Sequence, residues 1–319
     1  MAQQVEQALN LVLIAVTLAS AGGWIWILRR RITTGRPLVP PRPQREPFWS
    51  LAEFIICFGL LLVCSEAAIR TIGTRPAADS SAEVTAAQAD GLPRTIDGVI
   101  QSALAMAVVN LLVLASMLVL MGLTRLNYLR RYGFWPSGDD LRLGLIASLF
   151  ILPPVLAMAL VLNLIIEYEH PVLQTVQSQP TLAVFLAMGF TAVIVAPLCE
   201  EFVYRALLQG GSQKLARKLA RERQAMSDGQ EPPESSELVA AEEIASWSWW
   251  PVVISSVPFA LMHVGQGAAP IALFFFAMAL GYLYRQTGRL WPCIVVHFSL
   301  NAFSMLAFGL QLLTEKSAG

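Results

Sequence analysis

Eight long apolar runs constrain the fold of this chain more than any other feature of its sequence. They cover residues 8–28, 48–69, 98–123, 142–166, 181–210, 250–264, 268–284 and 290–313. A helix needs about 20 apolar residues to cross a bilayer, and only the sixth run is clearly short for a span. Of all residues 55% are apolar and 14% charged, against about 45–50% and 25% in an average soluble domain. The sequence therefore predicts an all-α fold, a polytopic transmembrane helix bundle of about eight spans.

The distribution of Lys and Arg predicts which side of the membrane each loop occupies, because cytoplasmic loops collect basic residues. If the N-terminus lies outside, the inner segments hold 18 of the 22 basic residues, and only Arg70, Arg75, Arg94 and Lys316 fall outside. The sequence thus predicts that both termini are outside. The net charge is 0 and the basic residues are spread along membrane edges, so the expected partner is the lipid bilayer and no nucleic acid.

The polarity of the chain suggests two membrane regions. Residues 1–140 are predicted to form an N-terminal region with three spans and linkers. Residues 141–319 are predicted to form a core that carries the polar groups of interest. A segment at about 211–249 is basic at first and acidic later, which predicts a cytoplasmic insertion that begins as an amphipathic surface helix.

Charged side chains within the fifth run indicate a functional cluster, because a charge at the centre of a span costs about 2.5–3.5 kcal/mol on insertion scales. Glu200, Glu201 and Arg205 lie within about a turn and a half of helix. Glu201 and Arg205 are four residues apart and share a helix face, whereas Glu200 points about 100° away from Glu201. One guanidinium need not neutralise two carboxylates, so Glu200 is harder to explain as part of a structural ion pair.

Two later runs add His263 and, four residues apart on one helix face, His297 and Asn301. At about 1.5 Å per residue, these groups and Glu200 lie about 12–20 Å from the cytoplasmic ends of their spans, so three helices could present them at one level. Taken singly, an intramembrane His or Asn often just hydrogen-bonds a neighbouring helix. The ion pair of the fifth run can likewise serve stability alone, so both interpretations stay open.

Three short motifs occur in order on these apolar helices: Glu-Glu-x-x-x-Arg from Glu200, Phe-x-x-x-His from Phe259 and His-x-x-x-Asn from His297. This ordered set resembles the CPBP (CAAX protease and bacteriocin-processing, Abi) family of intramembrane peptidases. That family includes CAAX prenyl endopeptidases and bacteriocin self-immunity proteins. The resemblance covers about residues 142–310 and does not explain the first three spans.

The resemblance implies a role for each polar group. Glu200 and His263 would activate the attacking water, and His297 and Asn301 would stabilise the oxyanion formed at the scissile carbonyl. Glu201 and Arg205 would hold the carboxylate cluster in place. These roles suit the side chains, because a poorly hydrated carboxylate can act as a general base and an Asn amide donates a hydrogen bond without needing protonation.

Metal dependence is left open by the sequence. Two imidazoles and one carboxylate can bind zinc or another divalent metal and leave a place for water, which makes Glu200, His263 and His297 candidate ligands. The sequence lacks a His-Glu-x-x-His motif, and the resembling family is described both as metallopeptidase and as glutamate-dependent peptidase. A site that is metal-independent or binds metal weakly is slightly favoured.

By this resemblance the chain is a hydrolase, an intramembrane endopeptidase that cleaves a membrane-associated peptide or protein, CAAX-like or other, near the cytoplasmic side. Its expected location is the cytoplasmic (inner) membrane of a bacterium. The alternative is a non-catalytic membrane binding protein or bacteriocin self-immunity protein that uses the polar cluster only for stability. A transporter is a further hypothesis, because buried carboxylates and histidines also relay protons, but no inverted repeat supports it.

Overall fold

The computed structural model describes residues 2–73, 95–124, 127–166, 171–229, 231, 238–240, 244 and 248–318. Each of the eight apolar runs forms a helix, which confirms the prediction of an all-α helix bundle. The helices are α1 (Ala2–Thr34), α2 (Leu51–Gly73), α3 (Ile96–Thr124), α4 (Tyr128–Arg131), α5 (Gly138–Asn163), α6 (Pro171–Ser178), α7 (Leu182–Asp228), α8 (Trp250–Leu261), α9 (Ala269–Thr287) and α10 (Trp291–Ala318).

Five of the described helices are long and apolar enough to cross a bilayer. They span Leu51–Thr71, Ile96–Thr124, Gly138–Asn163, Leu182–Asp228 and Trp291–Thr314. Trp250–Leu261 is apolar but shorter. Many large apolar side chains on these helices are exposed, as lipid-facing surfaces require. These are the properties of an integral multi-pass membrane protein, while the count of eight spans and the sidedness stay predictions.

Helix α7 is continuous but contains two π-helical segments, Thr191–Val195 and Phe202–Gln209. Between them lies the α-helical segment Ala196–Glu201, which ends at the paired carboxylates. A π-helical turn holds more residues than an α-helical one and often occurs at functional sites. The α-helical periodicity assumed from the sequence therefore does not hold on either side of these carboxylates.

Four segments are predicted to be cytoplasmic: the linker between α1 and α2, the segment between α3 and α5, the insertion at about 211–249 and the loop between α9 and α10. They meet at one end of the bundle, which we call the strap end. A short strand β1 (Gln44–Arg45) pairs antiparallel with β2 (Leu238–Val239), which joins the first linker to the insertion. The first linker also reaches the loop after α9, because its Arg42 N–H donates to the Gln286 carbonyl at 2.9 Å. That loop in turn contacts the start of α5, where Arg289 Nε lies 3.0 Å from Asp140 Oδ1, and the segment before it, where Arg289 Nη2 donates to the Trp135 carbonyl at 2.7 Å. This clustering agrees with a shared side of the membrane.

The proline-rich linker forms a strap, residues 39–50, that packs on the second π segment of α7. The Trp49 side chain is buried and its indole N–H donates to the Ala206 carbonyl at 2.8 Å. Glu46 lies 2.9 Å from both Arg217 and Arg221 on the extension of α7. The N-terminal region thus contacts the region that carries the polar residues, and the domain boundary near residue 140 stays a prediction.

Gly144 in α5 allows α10, the helix that carries His297, to approach closely. A Cβ at Gly144 would lie 2.5 Å from Val295 Cβ and 3.1 Å from the Pro292 carbonyl oxygen. Small residues let membrane helices pack at such crossings, so Gly144→Ala must push the two helices apart. We expect this variant to lower the free energy of unfolding by about 1–3 kcal/mol, measured as a lower Tm in detergent.

Gly59→Ala is the matched control, because Gly59 also lies inside a helix, α2. A Cβ at Gly59 meets no atom within 4 Å. Since Ala favours helix over Gly by about 1 kcal/mol, this variant should leave the Tm unchanged or raise it. Equal changes in Tm for the two variants would contradict the close packing of α5 on α10.

Candidate functional site

Glu201 is the buried centre of the polar cluster. Its side chain is fully buried, Oε2 accepts a hydrogen bond from Arg205 Nε at 3.0 Å and Oε1 lies 2.8 Å from His297 Nδ1. Because a carboxylate accepts, this pairing places a proton on Nδ1 of His297. In the neutral ring, Nε2 of His297 is then a hydrogen-bond acceptor.

Arg205 anchors the cluster to the neighbouring helices. Its guanidinium is fully buried, Nη1 donates to Ser255 Oγ at 3.2 Å, and Cζ lies 5.4 Å from the centre of the Phe259 ring. Ser255 Oγ lies 3.3 Å from Gln209 Oε1, and Gln209 Nε2 donates to the Gly281 carbonyl at 2.8 Å. These contacts join α7, α8 and α9. Ser255 and Gln209 were not predicted from the sequence, although Gln209 follows Arg205 by one helical turn in an apolar run.

Glu200 faces away from this ion pair, as the helical geometry predicted. Its Oε2 lies 3.9 Å from His297 Nε2, which is longer than a hydrogen bond. That oxygen is buried and has no hydrogen-bond partner within the part of the chain that the structure describes. The His297 ring is held edge-on between Phe259, at 5.8 Å, and Phe276, at 5.4 Å between ring centres. Glu200 is therefore the carboxylate that the Arg205 ion pair does not hold.

His263 and Asn301 are each oriented by a backbone carbonyl. His263 Nδ1 lies 2.8 Å from the Phe259 carbonyl oxygen, which can only accept, so Nδ1 donates and Nε2 is an acceptor in the neutral ring. Asn301 Nδ2 donates to the Ala192 carbonyl at 2.8 Å, within the first π segment of α7. One amide hydrogen of Asn301 remains beyond that bond.

A cavity of about 750 Å³ brings four of the six predicted residues together. Glu200 from α7, His263, and His297 and Asn301 from α10 line it. His263 lies in the turn after α8, which ends at Leu261, and not on the helix as the sequence suggested. Glu201 and Arg205, the other two predicted residues, form the buried ion pair and are not among the lining residues. Gln266 also lines the cavity and was not predicted from the sequence. The only signal for it was its position three residues after His263.

The candidate metal ligands Glu200, His263 and His297 line this one cavity. Among the described residues, however, no three His, Cys, Asp or Glu side chains are placed so that they could hold one metal ion. Glu200 and His297 approach each other, but a third donor does not complete the set. The described donors do not form a metal centre, and metal binding stays a prediction.

Residues 182–303 match the family model described as type II CAAX prenyl endopeptidase Rce1-like. This range contains all three motifs, and the match confirms the resemblance to CPBP-type peptidases for this part of the chain. It does not include the strap or the first three predicted spans. The comparison with curated proteins found no match, and neither did the comparison with solved structures.

Proposed function

We propose that this chain, through the part that matches the CAAX prenyl endopeptidases, is an intramembrane endopeptidase that hydrolyses a peptide bond of a membrane-associated substrate. One observation carries the proposal. Glu200 from α7, His263 from the turn after α8, and His297 and Asn301 from α10 line one cavity inside the matched range. A proposed location in a bacterial cytoplasmic membrane goes with this function.

The spacing of Glu200 and His297 supports a site for the attacking water. Glu200 Oε2 and His297 Nε2 are 3.9 Å apart, and both accept hydrogen bonds when the imidazole is neutral. A single water that donates one O–H to the Glu200 carboxylate and the other to His297 Nε2 would direct its oxygen into the cavity. Glu200 would take a proton as this water attacks the carbonyl carbon, and would later deliver it to the leaving amine.

Asn301 and His263 are proposed to assist the reaction, Asn301 at the oxyanion and His263 in the proton transfer. The remaining amide hydrogen of Asn301 can donate to the oxyanion without any change of protonation. His263 presents Nε2 as an acceptor, because Nδ1 is held by the Phe259 carbonyl. Its proposed role is to assist Glu200 in moving the proton. His297 can stabilise the oxyanion only when Nε2 is also protonated, since Nδ1 already donates to Glu201.

The alternative is a non-catalytic membrane binding or self-immunity protein. It is supported by the bonds that His263 and Asn301 make to backbone carbonyls, because intramembrane polar residues that only stabilise a bundle do the same. The test is cleavage of a mixed peptide library by the purified chain in detergent, analysed by mass spectrometry. A folded wild-type chain that cleaves nothing would favour the alternative.

Metal content separates two versions of the peptidase mechanism. We expect purified, active protein to contain no stoichiometric zinc by elemental analysis, and cleavage to survive dialysis against a chelator, because no three donors converge in the described part of the site. Stoichiometric zinc that is lost on replacing His263 or His297, together with chelator-sensitive cleavage, would instead establish a metallopeptidase. Restoration of a chelated sample by zinc but not by calcium would also establish one.

A further inference from the structure

We propose that substrates reach this site from the membrane side opposite the cytoplasm, and that they are uncharged, apolar peptide segments presented there. The proposal rests on the peptidase function proposed above and adds to it the side of access and the class of substrate. It departs from the expectation that cleavage takes place near the cytoplasmic side.

The cavity extends from the polar cluster toward one end of the bundle only. Its far lining residues belong to the start of α3, the end of α5, α6 and the loop after α8, for example Val99, Ile166, Gln179 and Gln266. None of its lining residues comes from the strap or from the second π segment of α7. The cavity therefore leads to the end that carries α6, which we call the α6 end.

The strap end is closed by close packing below the polar cluster. Every residue of the π segment Phe202–Gln209 is buried, and Trp49 covers this segment from the strap. On the neighbouring helices, a Cβ at Gly281 would lie 2.7 Å from Val252 Cγ1, so α8 and α9 also touch at this level. A peptide cannot pass through this layer without separating packed helices.

The charge distribution assigns the two ends to the two sides of the membrane. The predicted sidedness depends on the basic segments, and these all lie at the strap end. There the β1–β2 pairing and the Asp140–Arg289 ion pair join them. Cytoplasmic segments carry the excess of Lys and Arg, so the strap end faces the cytoplasm. The α6 end, and with it the opening of the cavity, faces the other side.

The lining of the cavity determines the class of substrate. Glu200 is the only Asp, Glu, Lys or Arg side chain that lines it among the described residues. The remainder is mostly apolar, with neutral polar groups such as Ser102, Gln179 and Gln266. An acidic substrate side chain would be taken out of water beside Glu200 without a partner of opposite sign, which is unfavourable, and a basic one would occupy the carboxylate that the reaction needs. Peptide N–H and C=O groups, in contrast, can pair with neutral amides and hydroxyls.

Access can be measured independently of cleavage by labelling single added cysteines with an uncharged, strongly hydrophilic maleimide that does not cross the membrane. Ser102→Cys reports the cavity and Ser50→Cys reports the strap end, and neither position belongs to the proposed catalytic groups. Each labelled site is identified by mass spectrometry, so the four native cysteines need not be removed. Unchanged Tm values and unchanged labelling of the native cysteines show that the variants are folded.

We expect the reagent to label Ser102→Cys, and not Ser50→Cys, when it is added outside right-side-out vesicles. Inverted vesicles should give the reverse pattern. Labelling of Ser102→Cys only from the side that labels Ser50→Cys would overturn the proposal. Labelling of Ser102→Cys from neither side would overturn it as well, because the cavity would then not open to water at the α6 end.

The substrate class is tested with right-side-out vesicles and two quenched fluorescent peptides. Both carry the same apolar sequence taken from the best-cleaved library member, and one of them has a central Glu. We expect the neutral peptide to be cleaved at least about tenfold faster, because burial of an unpaired charge is unfavourable. Equal rates would refute the proposed substrate class. A library from which no member is cleaved, together with the expected labelling pattern, would remove the peptidase function and leave the access route intact.

Discussion

Replacing Glu200 by Gln should lower the rate of peptide cleavage by about 10²–10⁴-fold, the usual contribution of a general base, while the protein stays folded. Gln has nearly the same shape as Glu but cannot take a proton from water. Glu200 is about one-third exposed and lies beside His297 rather than in the buried ion pair. The loss should therefore appear in the rate and not in the Tm. The measurement is cleavage of the best library peptide at saturating concentration in detergent.

The matched control is Glu66→Gln in α2. Glu66 is a largely exposed helical Glu whose partner is Arg70, four residues away at 2.7 Å, and it is not among the residues that line the cavity. Its replacement should leave the rate within about twofold, since surface substitutions change little. Full activity of Glu200→Gln would remove Glu200 as the base, and equal losses in the two variants would mean that the assay reports general damage.

The sequence was enough to predict the helices, and four of the six residues that it singled out line one cavity in the structure. Apolar runs of span length have few alternatives to helix in a bilayer, and each of the eight runs is helical in the structure. The helical angle between Glu200 and Glu201 predicted that the two carboxylates face different neighbours. The structure places Glu201 in the ion pair and Glu200 on the cavity. The catalytic roles themselves stay proposals.

The pairing within the site could not be read from the sequence, because it depends on contacts between distant segments. The sequence suggested that Glu200 acts with His263, whereas the structure places His297 beside it at 3.9 Å. His297 also meets Glu201, which is 96 positions away along the chain. Such distances follow from how α7 and α10 cross, and the π segments of α7 shift its faces in a way that no residue pattern announced.

The strap shows a second limit of prediction from the sequence. The prolines and arginines of residues 32–47 are typical of an extended linker, and Trp49 lies in the second apolar run. Nothing local revealed that its indole would donate to the Ala206 carbonyl in α7, or that Glu46 would pair with two arginines of the insertion. Burial of this kind is decided by the assembled bundle and not by local propensity.

Arg205→Ala should have the largest effect on stability of any single replacement considered, a loss of about 3–5 kcal/mol in the free energy of unfolding. The Arg205 and Glu201 side chains are both fully buried and joined at 3.0 Å. Removing the guanidinium leaves a buried carboxylate without its cation and leaves Ser255 without its donor. The measurement is thermal unfolding in detergent, compared with wild type under the same conditions.

The chain supplies a matched control for this variant, because Glu66 and Arg70 form the same Glu–Arg pair at the same spacing on an exposed helix face. Arg70→Ala should cost no more than about 1 kcal/mol, as exposed pairs do. A double variant, Glu201→Gln with Arg205→Met, should recover much of the stability lost in Arg205→Ala, because no uncompensated charge stays buried. If Arg205→Ala and Arg70→Ala lower the Tm equally, the buried pair does not hold the site together. Glu201 would then matter mainly through its hydrogen bond to His297.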